Sequence, residues 1–255
     1  MPNTMRQYFD VISVLTQRDF KIRYRNSLLG FLWSLLNPLG YLAVLTLVFA
    51  FLLRVNIPNF AAWELSGLLV WRYFSIGTAQ SLTVISDNPS LVSKIRLSRY
   101  VLVLSNNIAN LIGAALEFIV LFPVLIYFGV GLTPYVLFLP VILVMEFVLI
   151  FGISLALSSL NLKYRDFYQL WEVCLQLGFF LSPIVYDPSL IPQRYSFAYS
   201  LNPVTRLIES MREILLQQQF PTTFDFAAIM IASGVLTIVG FLIFRRLEPR
   251  FAEDL

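Results

Sequence analysis

Residues 30 to 53 read GFLWSLLNPLGYLAVLTLVFAFLL and carry no charge. A helix rises about 1.5 Å per residue, so crossing roughly 30 Å of hydrocarbon takes about 20 apolar residues. This run is long enough. Working outward, five more runs share its character: residues 65 to 86, apolar apart from Arg72 near the start, then 100 to 128, 134 to 160, 167 to 186 and 226 to 244. The third and fourth runs contain Glu117 and Glu146, and the fifth contains Glu172. The expectation is an all-α integral membrane protein of six transmembrane helices in one domain covering 1–255. Residues 1–29 form a cytoplasmic interface segment, 30–246 the six-span region and 247–255 a cytoplasmic tail. The first span starts too late and is too long for a cleavable signal, and charged residues precede it, so no targeting peptide is read.

Composition narrows the chemistry. Apolar residues make up 58% of the chain and charged residues 13%, against roughly 45–50% and about 25% in soluble domains. So few charges cannot coat the exterior of a soluble fold. Histidine is absent, which excludes Ser-His-Asp and Cys-His catalysis and histidine zinc sites. The single cysteine, Cys174, excludes an internal disulfide and a cysteine-rich metal cluster. No metal site and no catalytic residue is expected, and no glycine is followed by lysine, so no P-loop for ATP can be written.

Basic residues set the orientation. Arg6, Arg18, Lys21, Arg23 and Arg25 precede the first span; Lys94, Arg96 and Arg99 follow the second; Lys163 and Arg165 follow the fourth; Arg245, Arg246 and Arg250 close the chain. Only Arg54, Arg72, Arg194, Arg206 and Arg212 lie near the alternate connections. The positive-inside rule then puts both termini in the cytoplasm. The formal net charge of +3 is explained by anchors facing anionic lipid rather than by nucleic acid.

Three elements do not span. Thr4 to Gln7 fits a capping box, and Tyr8, Val11, Ile12 and Leu15 then recur at helical spacing opposite Arg6, Asp10, Ser13 and Gln17. This amphipathic helix is placed flat on the cytoplasmic surface. After the second span, Asn88, Pro89 and Ser98 bracket a short helix at Pro89–Leu97, with Asn88 and Ser98 as caps and Leu91 and Ile95 exposed beside Lys94 and Arg96. Between the last two spans, Asn202-Pro203 opens a helix with Val204, Leu207, Ile208, Met211, Ile214 and Leu215 on one face. Its other face carries Arg206, Glu209, Arg212 and Glu213, and it lies at or partly within the outer interface as a re-entrant or interfacial helix.

The stretch Arg23-Tyr24-Arg25-Asn26-Ser27-Leu28-Leu29-Gly30-Phe31-Leu32-Trp33-Ser34-Leu35-Leu36-Asn37-Pro38-Leu39 resembles the start of the first span in ABC-2 type permeases of the polysaccharide-export branch. The short helix after span two, Leu162-Lys163-Tyr164-Arg165-Asp166, Ser182-Pro183-Ile184-Val185-Tyr186 and Asn202-Pro203 fall in the same order as in that branch. The resemblance implies a subunit of an O-antigen polysaccharide exporter in a bacterial inner membrane. It further implies a homodimer working with two copies of a separate ATPase, which carries the ATP and Mg, on a lipid-linked glycan. This chain itself needs no cofactor. An exporter of teichoic acid, a drug or a small lipid is the alternative within the family.

Particular residues carry the expected roles. Trp33, Asn37 and Tyr41 stand four apart, and each such step advances only about 40° beyond a full turn, so they share a face of span one. That face combines stacking surface with amide, indole and hydroxyl groups, which suits carbohydrate better than lipid tails. With Tyr73 and Phe74 from span two and Phe180 from span five, which the resemblance contributes, they are expected to line a glycan channel. Arg23 and Arg25 are placed to hold the lipid phosphate, guanidinium forks being suited to its oxygens. Pro89, Leu91, Lys94, Ile95 and Arg96 are expected to take the push of the ATPase. A rival class stays open: intramembrane carboxylates mark ion sites, so Glu117 and Glu146 would be the coupling groups of an ion-driven carrier.

Overall fold

A computed structural model describes residues 5–24, 30, 32–55, 57–94 and 98–251. Those residues fold into helices and connecting turns. The first is α1, Met5–Tyr24. It turns Tyr8, Val11, Ile12 and Leu15 onto its neighbours and Arg6, Asp10, Ser13 and Gln17 outward. The helix runs well past Leu15 and ends with the basic residues Lys21 and Arg23 in its last turn. Thr4 lies outside the described residues.

Next comes α2, Leu32–Thr46, with Pro38 inside it, continuing as a π-helical segment at Leu47–Leu52. Arg54 and Asn59, both at positive φ, turn the chain into α3, Phe60–Thr83. Because α3 begins at Phe60 and not at residue 65, Arg72 sits at mid-helix and not near an end. The short α4, Pro89–Lys94, follows. Its capping differs from the sequence expectation: the Asn88 side chain donates to the Val84 carbonyl 2.8 Å away, and α5 opens at Arg99 rather than at a Ser98 cap.

The third apolar run divides at Val120 into α5, Tyr100–Ile119, and α6, Leu121–Tyr127. A 3-10 turn at Pro134–Phe138 leads into α7, Leu139–Lys163, and α8 covers Phe167–Leu181. Beyond it lie the short α9, Ser196–Ser200, and α10, Pro203–Leu215. The Asn202 side chain caps α10 by accepting from the Val204 amide at 3.0 Å, with Pro203 in the first turn, as its residue types dictate. Last is α11, Thr223–Leu247, closed by a 3-10 turn at Glu248–Arg250.

Four of these segments are long and apolar enough to cross a membrane: Leu32–Leu52, Tyr100–Tyr127, Pro134–Lys163 and Thr223–Arg250. The helix α3 is the axle of the molecule, packed by α2, α5, α6, α7, α8 and α10, with Ala62, Leu65 and Val70 fully buried. The helices α7 and α11 make the closest pair. Gly152 and Gly240 meet backbone to backbone there, and the Thr237 hydroxyl donates to the Val148 carbonyl at 3.1 Å.

Two apolar cores lie one above the other along the bundle. One gathers α3 up to Phe74, Ala114 and Phe118 of α5, α7 up to Ile150, and α10. The other gathers Leu15, Val84, Ile85, Val92, Val101, Leu155, Phe244 and Phe251. Between them runs a layer of hydroxyls and amides. Asn107 donates to Ser81 at 3.2 Å and Ser154 to Asn107 at 3.4 Å, while farther along α7, level with the second core, Asn161 donates to the Leu82 carbonyl at 3.1 Å. Buried polar groups need partners of this kind.

Candidate functional site

The helix α2 hides little of itself: Pro38 and Leu42 are its buried residues. A helix bounded by lipid on one side and packed on the other hides an apolar stripe. In α2 the uncovered side mixes residue types. Trp33 and Tyr41 are more than half exposed, and with Leu36, Asn37, Gly40 and Val44 they line an open groove of about 430 Å³. The spacing of four thus places Trp33, Asn37 and Tyr41 on one surface.

The residues from the other two helices separate. Phe180 is exposed on α8, among Val173, Leu177 and Leu181, which are exposed too. Tyr73 and Phe74 are buried, at 4% and 6% exposure. The Phe74 ring packs at a tilt against Trp71 of the first core and Trp171 beside it. These two therefore support the bundle from within and do not reach an open wall. The reason is that α3 is enclosed by six helices, so most of its faces are interior.

Polar ties hold α2 in place. Arg72 of α3 donates through Nη1 to the Asn37 Oδ1 at 2.6 Å. Its Nε and Nη2 reach both carboxylate oxygens of Glu117 on α5, at 3.2 and 3.3 Å. The pair is largely enclosed, with side-chain exposures of 14% and 13%. Farther along, Thr46 donates to Glu64 at 3.1 Å. The sequence alone places Arg72 near an outer connection and leaves Glu117 open as a coupling group of an ion-driven carrier. The signal for the pair was there, in two opposite charges within two neighbouring apolar runs, but only the packing of α3 on α5 brings them together.

The remaining carboxylates part ways. Glu172 is exposed on α8. Glu146 is fully buried on α7, and neither of its oxygens has a hydrogen-bond partner among the described residues.

On the side where α1 meets the bundle, Arg23 donates to Gln80 at 2.6 Å and also to Asn110. It thereby joins α1 to α3 and α5. Together with Arg18, Asp19, Asp87, Asn88 and Asn106 it borders a cleft of about 370 Å³. Arg18 is spoken for by Asp19 at 2.7 Å. Arg25 lies outside the described residues. Near α4, Leu91 is half-buried and Val92 is buried in the second core, so the expected exposure of Leu91 gives way to packing against α1 and α5. Pro89 and Ser90 face outward, Lys94 ends the helix, and Ile95 and Arg96 lie outside the described residues.

At the opposite end, α10 buries the apolar face read from its spacing, and with it Arg212, which the pattern had placed on the polar side. The Arg212 guanidinium lies 3.3 Å from the Trp63 ring centre and donates to the Trp63 carbonyl at 3.3 Å. Aromatic stacking is what admits a guanidinium to such a place. Burial lowers the Arg212 pKa to about 9. Burial likewise pushes the Glu209 carboxyl above the ordinary carboxylate range, against the downward pull of the Tyr199 hydroxyl. Arg206 is paired with Asp225 of α11.

The ABC-2 type transporter family matches this chain over residues 10–216. An O-antigen export system permease protein, RfbA, of Klebsiella pneumoniae is 33% identical over 253 residues, covering 97% of this chain and 95% of the relative. The RfbA protein of Myxococcus xanthus is 32% identical, covering 98% and 96%. A more distant relative, the polysialic acid transport protein KpsM of Escherichia coli, is 21% identical, covering 93% of each chain. With a family match over most of its length and relatives above 30% identity nearly end to end, the chain belongs to the ABC-2 type transporter family.

Proposed function

We propose that this chain is the membrane subunit of an ATP-driven exporter that moves a lipid-linked, O-antigen-like polysaccharide across a bacterial inner membrane. The observation that carries the reading is full-length similarity to permeases named for O-antigen export. The exposed face of Trp33, Asn37 and Tyr41 supplies a surface with the right chemistry, stacking area and hydrogen-bonding groups without a net charge. One protomer offers that face unenclosed, so two copies facing each other, with Phe180 of α8 at the flank, would complete a path. Six spans, with α3 and α8 added to the four long apolar segments, and cytoplasmic ends complete the topology we favour.

A separate ATPase supplies the energy, and α4 receives its motion. Pro89 and Ser90 offer the outward contact, while Leu91 and Val92 root the helix in the second core. Arg23 stays a candidate for meeting the lipid phosphate at the headgroup level, with part of its hydrogen-bonding capacity used on Gln80 and Asn110. The ion-coupled alternative loses one of its two groups, because Glu117 is engaged by Arg72.

The test is removal of the gene from its source cell and complementation. The wild-type chain should restore surface glycan, and its absence should leave lipid-linked glycan inside. Unchanged surface glycan in the deletion would overturn the reading, and export insensitive to a defective ATPase partner would favour an ion-driven carrier.

A further inference from the structure

The contact between Arg72 and Asn37 fixes more than the position of α2. A guanidinium has donors and no acceptor. The Asn37 atom 2.6 Å from Arg72 Nη1 is therefore the amide oxygen, since two donors would repel at that distance. The amide nitrogen is then turned to the other side. Asn37 is exposed on the groove between Trp33 and Tyr41, so the groove meets an N–H donor there and not a carbonyl.

Glu117 completes the arrangement. Both its oxygens lie against Arg72, so the positive charge that orients the amide is matched immediately behind it. Without Glu117, a cation in this low-dielectric setting would project its field into the groove, where interactions are poorly screened. With it, the groove receives an oriented dipole. The two charged residues do not touch the path; they act through Asn37.

We propose that Arg72 and Glu117 are positioning residues that hold Asn37 as a fixed, uncharged hydrogen-bond donor in the polymer path, selecting glycans rich in acceptor oxygens such as hydroxyls and acetamido carbonyls. This rests on the reading of the α2 face as the path. A donor between two aromatic groups supports a sliding sugar chain: rings stack on C–H faces and one amide exchanges among successive oxygens. A fixed cation would instead hold acidic units and slow their passage.

The experiment uses the full chain with its partner ATPase in a strain deleted for the permease gene. Surface glycan, the amount of membrane-inserted subunit and ATP hydrolysis by the isolated complex are measured together. The double variant R72M/E117M removes both charges at once and leaves no buried charge unpaired. It should accumulate normally and hydrolyse ATP, yet export about tenfold less, equivalent to about 1.4 kcal/mol. N37L, a change on the exposed groove, should reproduce that loss, whereas R72K, which keeps a donor for the Asn37 oxygen, should recover most of the export. E117Q, which leaves the Arg72 charge unmatched, should slow export of an acidic glycan more than that of an uncharged one.

Normal export by N37L overturns the proposal whether or not R72M/E117M folds. So does normal export by R72M/E117M, which would reduce the pair to a support for packing. Failure of the wild-type chain to restore surface glycan is a different result, and it removes the path reading itself.

Discussion

Gly240 lies so close to Gly152 that a methyl group on the first would overlap the carbonyl oxygen of the second. Neither neighbour is the movable end of a side chain, so the clash cannot be relieved locally. A Cβ on Gly152 would in turn meet the Thr237 Cα at 2.6 Å. Small residues let helices approach in a membrane, where packing must do much of the work that water does elsewhere.

Gly240→Ala should therefore force α7 and α11 apart and lower the thermal stability of the detergent-solubilised protein by more than about 2 kcal/mol, in the range of overpacked cores. Gly234→Ala, on the same helix with open space around the added carbon, is the control and should match or slightly exceed wild type. Equal melting of G240A and wild type would show that the two helices do not meet at this point.

The segment from Glu248 to Phe251 is built into the fold. Glu248 accepts the Arg99 amide at 3.1 Å, its carbonyl accepts the Arg99 side chain at 3.0 Å, and Phe251 is buried against Phe244. Phe251→Ala should cost about 3–5 kcal/mol, as for other fully buried aromatics. A chain ending after Leu247 should show the same loss, with faster protease cleavage near Ser98. Unaltered cleavage in both would make the tail dispensable.

The Glu209 carboxyl titrates above the ordinary carboxylate range because burial disfavours its charge, with Asp225 adding to the effect and Tyr199, Arg212 and Arg206 opposing it. The folded chain then holds this proton more tightly than the unfolded chain. Its contribution is complete below the ordinary carboxylate pKa and is lost as pH rises through the raised value. Glu209→Gln keeps an acceptor for the Tyr199 hydroxyl and removes the titration. Its melting temperature should fall less than that of wild type between acidic and neutral pH; parallel curves would refute this.

Topology can be read from single cysteines, because Cys174 is the chain's only one. In a Cys174→Ser background, Ser189→Cys should react with an impermeant maleimide from outside the cell, and Ser93→Cys only after the membrane is opened. Ser189 labelled solely from the cytoplasm would reverse the proposed orientation.

Much of the α2 surface was legible because a periodicity of four in one helix is a local property, carried by Trp33, Asn37 and Tyr41 themselves. The same was true of α10, whose apolar spacing and Asn202-Pro203 start describe its cap and its buried face. The facing of Tyr73 and Phe74 was not legible. The helix α3 is apolar nearly all round, and a helix without a polar side gives no clue to which residues meet neighbours. Arg72 with Glu117, and Arg212 on Trp63, escaped for another reason. A charge reads as exposed until the packing supplies a partner, and both partners come from other helices.

The layer of hydroxyls and amides between the two apolar cores has a mechanical consequence. Each core resists opening, because prising it apart would uncover packed side chains. The layer is stitched across helices that run unbroken through it: Asn107 of α5 donates to Ser81 of α3 and accepts from Ser154 of α7. A push on the block containing Val92 is therefore not absorbed as slip at the layer but reaches the block containing α10 as a joint tilt of the helices that the layer couples.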